Sequence, residues 1–160
     1  MRKQKGFSLI ELLIVVAIIL IIAAIAIPNL LRSRIAANEA SAVGSIRTIN
    51  TAQVTYSSSY PDCGFTTLTN LGGSGGNTTG AGLIDSVLAN GLKSGYSFAA
   101  TPSGGGTNCG TGSGTPNSTY TVVGQPQNAQ TGQRYFFSDQ SGVIRYNTSS
   151  AATASSAPLQ

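Results

Sequence analysis

A single carboxylate stands inside the most apolar part of this chain. Glu11 lies near the start of residues 7–31, where nearly every other side chain is apolar. A carboxylate at the centre of a membrane helix costs about 2.5–3.5 kcal/mol, and less near a bilayer interface. That cost falls if the side chain reaches the headgroups or if a positive charge meets it. The first question is which of these compensates Glu11.

Enzymatic and metal chemistry find little support among the remaining residues. The sequence has no histidine, which removes the commonest general base and the usual metal ligand. No lysine follows the glycine-rich residues 72–76 as a phosphate-binding loop requires. The run Asp139-Gln140-Ser141-Gly142 offers Ca²⁺ one carboxylate, and a hairpin turn explains that run more simply. We expect no enzyme activity, no cofactor and no metal site.

The positive charge is concentrated ahead of the apolar run. Of nine basic residues, Arg2, Lys3 and Lys5 precede it, and the six that remain face five acidic residues. This balance leaves no basic stripe for phosphates, so we expect no direct binding to nucleic acid. Because basic residues flank the cytoplasmic end of a membrane helix, these three predict a cytoplasmic N-terminus with the bulk of the chain outside.

Residues 12–27 contain no polar side chain. About 20 apolar residues cross a hydrocarbon core of roughly 30 Å, so the segment predicts a single-pass span of the inner membrane. A cleaved secretory signal has a shorter apolar core and a small-x-small site at its far end, which residues 28–34, PNLLRSR, do not resemble. A plain anchor fits the length but explains Glu11 only by snorkelling to the headgroups.

KGFSLIELL, residues 5–13, resembles the cleavage and methylation motif of type IV prepilins and the related pseudopilins. That motif has a short basic leader ending in glycine, an aromatic residue after the cut, and glutamate as the fifth mature residue. The resemblance covers the leader, the apolar run and the following IPNLL. It implies that a prepilin peptidase and methyltransferase removes residues 1–6 by cutting between Gly6 and Phe7, and then methylates the Phe7 amine.

The same resemblance implies a partner for Glu11. In a filament, the Phe7 amine of one subunit would neutralise Glu11 of a neighbour, and the pair would favour one axial register. Residues 7–31 would then be a transmembrane helix before assembly and filament core afterwards. Pro28 predicts a kink, and the resemblance implies loss of helix between Leu20 and Pro28 in the filament. Its extent stays open, because Leu20 stands where many relatives have glycine.

The remainder of the chain predicts an α+β fold. Residues 32–58 carry an apolar stripe at helical spacing, so the long N-terminal helix should continue as an amphipathic one. That stripe should pack on a small antiparallel sheet of three to four strands within residues 59–147, beside glycine-rich loops and a short helix at 83–90. Residues 148–160 lack large apolar side chains except Leu159, which predicts a flexible tail. The predicted strands are 96–100, 120–124, 134–139 and 143–147.

Both cysteines, Cys63 and Cys109, lie in the polar half of the sequence. If that half is exported, they predict a disulfide. In the chain-entropy model, closing a loop of about 45 residues contributes roughly 4 kcal/mol. The alternative is two unpaired thiols.

Together these features predict a structural subunit that polymerises through its N-terminal helix into a type IV pilus. The implied partners are identical subunits, prepilin peptidase and an inner-membrane assembly machine with a cytoplasmic ATPase. The subunit would move from the inner membrane, with its N-terminus cytoplasmic, into an extracellular filament. Two alternatives stay open: a pseudopilin of a type II secretion system, and a monomeric single-pass adhesin or receptor. The sequence does not choose among adhesion, motility, DNA uptake and electron transfer.

Overall fold

The computed structural model describes residues 6–105 and 115–159. The chain divides into two compact units, Met1–Arg34 and Ile35–Gln160. The helices are α1 (Leu9–Ser59), which has residues in both units, α2 (Leu68–Leu71) and α3 (Ser86–Ala89). The strands are β1 (Leu92–Lys93), β2 (Tyr96–Ser103), β3 (Thr119–Pro126), β4 (Tyr135–Asp139), β5 (Arg145–Asn147) and β6 (Ala157–Pro158).

The first unit contains the N-terminal part of α1. Leucine, isoleucine, valine and alanine fill this stretch, and no glycine interrupts it between Leu9 and Pro28. Every large apolar side chain from Phe7 to Leu31 is exposed, from 41% at Leu31 to 80% at Leu9. The helix continues through Pro28, which supplies no backbone donor. The kink there and the loss of helix in a filament stay predictions.

The second unit is α+β, and its sheet is an antiparallel meander with the strand order β1-β2-β3-β4-β5-β6. The sheet therefore has six strands, and the prediction of three to four was wrong. All four predicted strands are present as β2 to β5, although β5 begins at Arg145 rather than at residue 143. The two additional strands, β1 and β6, have two residues each, too few to show an alternating pattern.

A tight turn creates the first of these short strands. Lys93 pairs with Tyr96, and the two residues between them, Ser94 and Gly95, have φ angles of 51° and 74°. Two successive positive φ angles are typical of the type I′ turn, whose twist suits a two-residue hairpin. Ser94 is the only residue besides glycine with positive φ in the described part of the chain.

The last strand comes from the segment for which a flexible tail is expected. Tyr146 of β5 pairs with Ala157 of β6, and the Leu159 N–H donates to the Ile144 carbonyl at 2.8 Å. Arg145 Nη1 also donates to the Ser156 carbonyl at 3.1 Å. In each contact the tail supplies a backbone group, which the side-chain pattern of a serine- and alanine-rich segment does not reveal.

The second half of α1 supplies one side of the core of the second unit. From Ala42 to Tyr56 its apolar stripe is buried as predicted, because residues spaced three or four apart share one face of a helix. From the sheet, Phe98, Val122 and Phe136 pack into the same cluster. The buried apolar residues of α1 are Ala42, Ile46, Ile49, Ala52 and Tyr56.

A buried amide also joins α1 to the loop that follows it. Gln53 is fully buried, its Nε2 donates to the Thr66 carbonyl, and its Oε1 accepts from the Thr66 N–H at 2.9 Å. The side chain thus satisfies both backbone groups of a residue that belongs to no strand. Nearby, Tyr56 and Tyr60 donate through their hydroxyls to the Thr78 and Gly76 carbonyls at 2.6 and 2.9 Å, which ties down the glycine-rich loop.

Three tyrosines of the core are held in the neutral form. Burial removes water from the phenolate and so raises the pKa of Tyr56, Tyr96 and Tyr120 above the ordinary value. The Tyr96 hydroxyl donates to the Arg134 carbonyl at 2.9 Å, and that of Tyr120 donates to Asn50 Oδ1 at 3.2 Å. These phenols therefore act as hydrogen-bond donors within the fold.

We expect Gln53→Leu to lower the free energy of unfolding by about 2–3 kcal/mol. The substitution keeps the volume but leaves the Thr66 N–H and carbonyl buried without partners, and each such group costs about 1–3 kcal/mol. Urea unfolding of the detergent-solubilised full chain, followed by near-UV circular dichroism of the tyrosines, measures the change. Val54→Ala is the control, since Val54 lies next along the same helix with its side chain 58% exposed. Equal stability of the two variants would contradict the assigned role.

Candidate functional site

The carboxylate of Glu11 is bound to the start of its own helix. Ser8 immediately precedes α1, and the Ser8 N–H donates to Glu11 Oε2 at 2.8 Å. The Ser8 carbonyl in turn accepts from the Leu12 N–H at 3.2 Å. A glutamate that reaches back from the third helical position is one half of a capping box, and negative charge is favourable near a helix N-terminus. The sequence carries this signal as Ser-x-x-Glu at residues 8–11.

The two residues at the predicted cleavage point lie outside the helix. Phe7 is 78% exposed, and a Cβ added to Gly6 would meet no atom within 4 Å. The fold of this chain therefore places no steric requirement for glycine at position 6. Within the described part of the chain, no hydrogen bond or ion pair joins Phe7 to Glu11. The roles of Gly6 and Phe7 in processing, and of Phe7, Glu11 and Pro28 in assembly, stay predictions.

The exposed apolar side chains of residues 7–31 require another apolar environment. Exposed apolar patches on soluble monomers rarely exceed a few hundred Å², whereas here all seventeen large apolar residues of the segment are exposed. By length and composition, α1 contains one stretch that is able to cross a membrane. A bilayer and a bundle of similar helices are the two environments that would cover such a surface.

Only one of the two cysteines of the predicted disulfide lies among the described residues. Cys63 follows α1 and is buried, with 4% of its surface exposed. Cys109 lies outside the described residues, so the pairing of Cys63 with Cys109 stays a prediction.

An ion pair between a buried glutamate and a partly exposed arginine, which sequence reasoning missed, joins α1 to the start of β4. Glu39 is 6% exposed, and its Oε2 accepts from Arg134 Nε at 2.7 Å. Its Oε1 accepts from the backbone N–H groups of Gln133 and Arg134 at 2.9 and 3.2 Å. The guanidinium also lies 5.6 Å from the centre of the Tyr146 ring. Because Glu39 precedes the buried Ala42 by three residues, the helical spacing of the apolar stripe could have identified it.

No group of three histidine, cysteine, aspartate or glutamate side chains comes together among residues 6–105 and 115–159. The Asp139 carboxylate accepts from both the backbone N–H, at 2.9 Å, and the hydroxyl of Ser141. It therefore serves the turn between β4 and β5. The Glu39 ion pair, with all its partners supplied by the fold, is structural.

Comparisons with known proteins point to one kind of protein. The family model described as the prokaryotic N-terminal methylation motif matches residues 1–27. The type IV wide pilus major component PilA4 of Thermus thermophilus is 67% identical over 39 residues, which cover 24% of this chain and 30% of that protein. The type IV major pilin protein PilA of Myxococcus xanthus is 45% identical over 54 residues, 34% of this chain and 24% of that protein.

A third relative is similar over a larger share of the chain. A fimbrial protein of Pseudomonas aeruginosa is 43% identical over 88 residues, which cover 47% of this chain and 57% of that protein. The chain thus spans less than two thirds of the length of each of these relatives. No solved structure matches the chain significantly.

Proposed function

We propose that this chain, whose motif and relatives support membership of the type IV pilin family, is a structural subunit that polymerises through its N-terminal helix into a type IV pilus. The observation that carries the proposal is the exposed apolar surface of residues 7–31 with one carboxylate placed a single turn after Phe7. The names of the relatives concern pili and fimbriae, which favours a pilus over a secretion pseudopilus.

Before assembly, the subunit is held in the inner membrane with residues 1–6 on the cytoplasmic side. The bond from the Ser8 N–H satisfies one carboxylate oxygen of Glu11 at the end of the helix, close to the headgroups. Charged groups cost less there than at the bilayer centre. Glu11 is thereby tolerated in the membrane without a cation, and the exposed apolar side chains are solvated by lipid.

Prepilin peptidase then cuts between Gly6 and Phe7 and methylates the new amine, which keeps its positive charge. An assembly machine with a cytoplasmic ATPase moves the subunit from lipid into a bundle of identical helices. Away from the headgroups, a carboxylate without a cation becomes strongly unfavourable, since breaking a buried ion pair costs about 3–5 kcal/mol. The Phe7 amine of a neighbouring subunit supplies the cation, so the ion pair favours one axial register.

The two alternatives make different predictions about the same cells. Long surface fibres that contain this chain, seen by electron microscopy of a sheared-cell fraction, favour the pilus over a short periplasmic pseudopilus of a type II secretion system. A monomeric single-pass adhesin or receptor would be found only in the membrane and would keep its N-terminal leader.

We expect Glu11→Ala and Glu11→Gln to insert normally into the membrane but to lose at least about tenfold in filament yield, because each leaves a neighbour's amine buried without an anion. Glutamine is the sharper variant, since its amide oxygen still accepts from the Ser8 N–H and preserves the helix cap. Immunoblots and electron microscopy of membrane and sheared fractions measure the effect.

Ser8→Ala is the control for these variants. It keeps both Glu11 and the backbone N–H that Glu11 binds, so filaments should form as in the unaltered protein. Normal filaments from Glu11→Gln would contradict the proposal that the charge of Glu11 directs assembly.

Gly6→Val should stop removal of the leader without disturbing the fold, because an added Cβ at this position has open space around it. The uncut precursor should then accumulate in the membrane and appear as a larger band on a gel. Gly44→Ala is the matched control, since its added Cβ also meets no atom within 4 Å and it lies far from the cut. Efficient removal of the leader from Gly6→Val would show that the peptidase does not require glycine at this position.

A further inference from the structure

Charged side chains are few in this protein, and most of them have an identifiable partner. Once residues 1–6 are removed, six basic and five acidic residues remain. Lys93 binds Asp85 at 3.0 Å, and Arg134 binds Glu39 at 2.7 Å. Arg145 donates to a carbonyl of the β6 segment, and Asp139 accepts within its turn. The charges that these contacts leave over are Glu11, Arg32, Arg34, Arg47 and Asp62.

Three of the five have an explanation at the membrane. Glu11 belongs to the assembly site described above. Arg32 and Arg34 directly follow the apolar segment, where long basic side chains reach the outer headgroups. Arg47 and Asp62 remain. Both are exposed, and neither the Arg47 guanidinium nor the Asp62 carboxylate has a hydrogen bond or an ion pair among the described residues.

Arg47 stands between two open grooves along the exposed face of the second half of α1. One groove is lined by Thr48, Thr51, Thr55 and Leu83. The threonine hydroxyls donate back to carbonyls of the same helix at 3.0–3.1 Å, so this groove presents mainly methyl groups. The other groove is lined by small and apolar residues beside the Glu39 ion pair, including Ala36, Ala40, Val43, Phe136 and Leu159.

Asp62 lies in the exposed turn that follows α1, directly after Pro61. The C-terminus of a helix carries partial negative charge and disfavours a carboxylate close to it. The last turn of α1 also contains no basic residue to offset that effect. Asp62 is therefore poorly placed for the stability of its own helix, and its charge is available to a partner.

Arg47 and Asp62 of one chain are too far apart to meet. Ser59, at the helix end, lies twelve positions after Arg47, and a rise of 1.5 Å per residue gives about 18 Å. An arginine side chain does not span that distance. The partner that remains for Arg47 is therefore Asp62 of a second copy, and the partner that remains for Asp62 is Arg47 of a second copy.

We infer that, in the polymer, the Pro61–Asp62 turn of one copy docks on the exposed face of α1 of a second copy, with Asp62 against Arg47. This inference rests on the proposed function, because it requires copies of the chain to lie side by side, offset along the helix axis so that the end of one α1 lies near Arg47 of the next. An exposed ion pair adds little affinity by itself. The ion pair instead selects the axial register between copies, because a register that brings like charges together opposes association.

Substitutions that reverse the charge of each residue, made in the full chain and expressed in cells, test this contact. Arg47→Asp and Asp62→Arg should each lower the filament yield at least about fivefold, and the double variant should restore it. Lys93→Asp is the control, since it changes the net charge as Arg47→Asp does but breaks only an exposed pair within one subunit. It should assemble normally, and equal amounts of every variant in the membrane fraction show that folding is intact.

Several results would overturn the inference. Single variants that assemble like the unaltered chain would do so, and so would a double variant no better than the poorer single. A defect in Arg47→Asp without one in Asp62→Arg would mean that Arg47 binds a different partner. Absence of filaments from the unaltered chain would instead contradict the proposed function, and the inference would fall with it.

Discussion

The structure depends on one constraint: the first twenty-five residues after Gly6 form an apolar surface that the rest of the described residues leave exposed. The side chains from Phe7 to Leu31 are exposed almost without exception, so this segment is stable only in lipid or among similar helices. Glu11 gives the constraint its specificity. Its bond to the Ser8 N–H suits a lone helix near the headgroups, whereas a dry bundle of helices demands a cation.

The second unit fixes the other half of the same helix in a different way. Here α1 is joined to the sheet and loops by buried polar groups as well as by apolar packing. Glu39 binds Arg134, Asn50 Nδ2 donates to Ser138 Oγ at 2.8 Å, and Gln53 binds the backbone of residue 66. No buried side-chain polar atom lacks a partner in the described part of the chain. Such a network specifies one orientation of the helix on the sheet. The opposite face of the helix, which contains Arg47, stays exposed.

The sequence predicts the elements that have a strong periodic or motif signal. The long helix, its buried stripe and the strands β2 to β5 follow from spacing, and the resemblance around Glu11 follows from a fixed order of residue types. The two-residue strands β1 and β6 were missed because turn and backbone contacts create them rather than side-chain pattern. Glu39 and Gln53 were missed because a polar residue at a stripe position interrupts the apolar pattern. Its burial is explained only when its hydrogen-bond partner, distant in sequence, is known.

The central claim is that Glu11 is compensated by the amine of a neighbouring subunit, which forms only after cleavage and reaches Glu11 only in a polymer. Mass spectrometry of the N-terminal peptide, on protein recovered from sheared filaments, tests it most directly. The expected result is a chain that begins with an N-methylated Phe7. Filaments whose subunits still begin at Met1 would contradict the claim, because Glu11 would then be buried without the proposed cation.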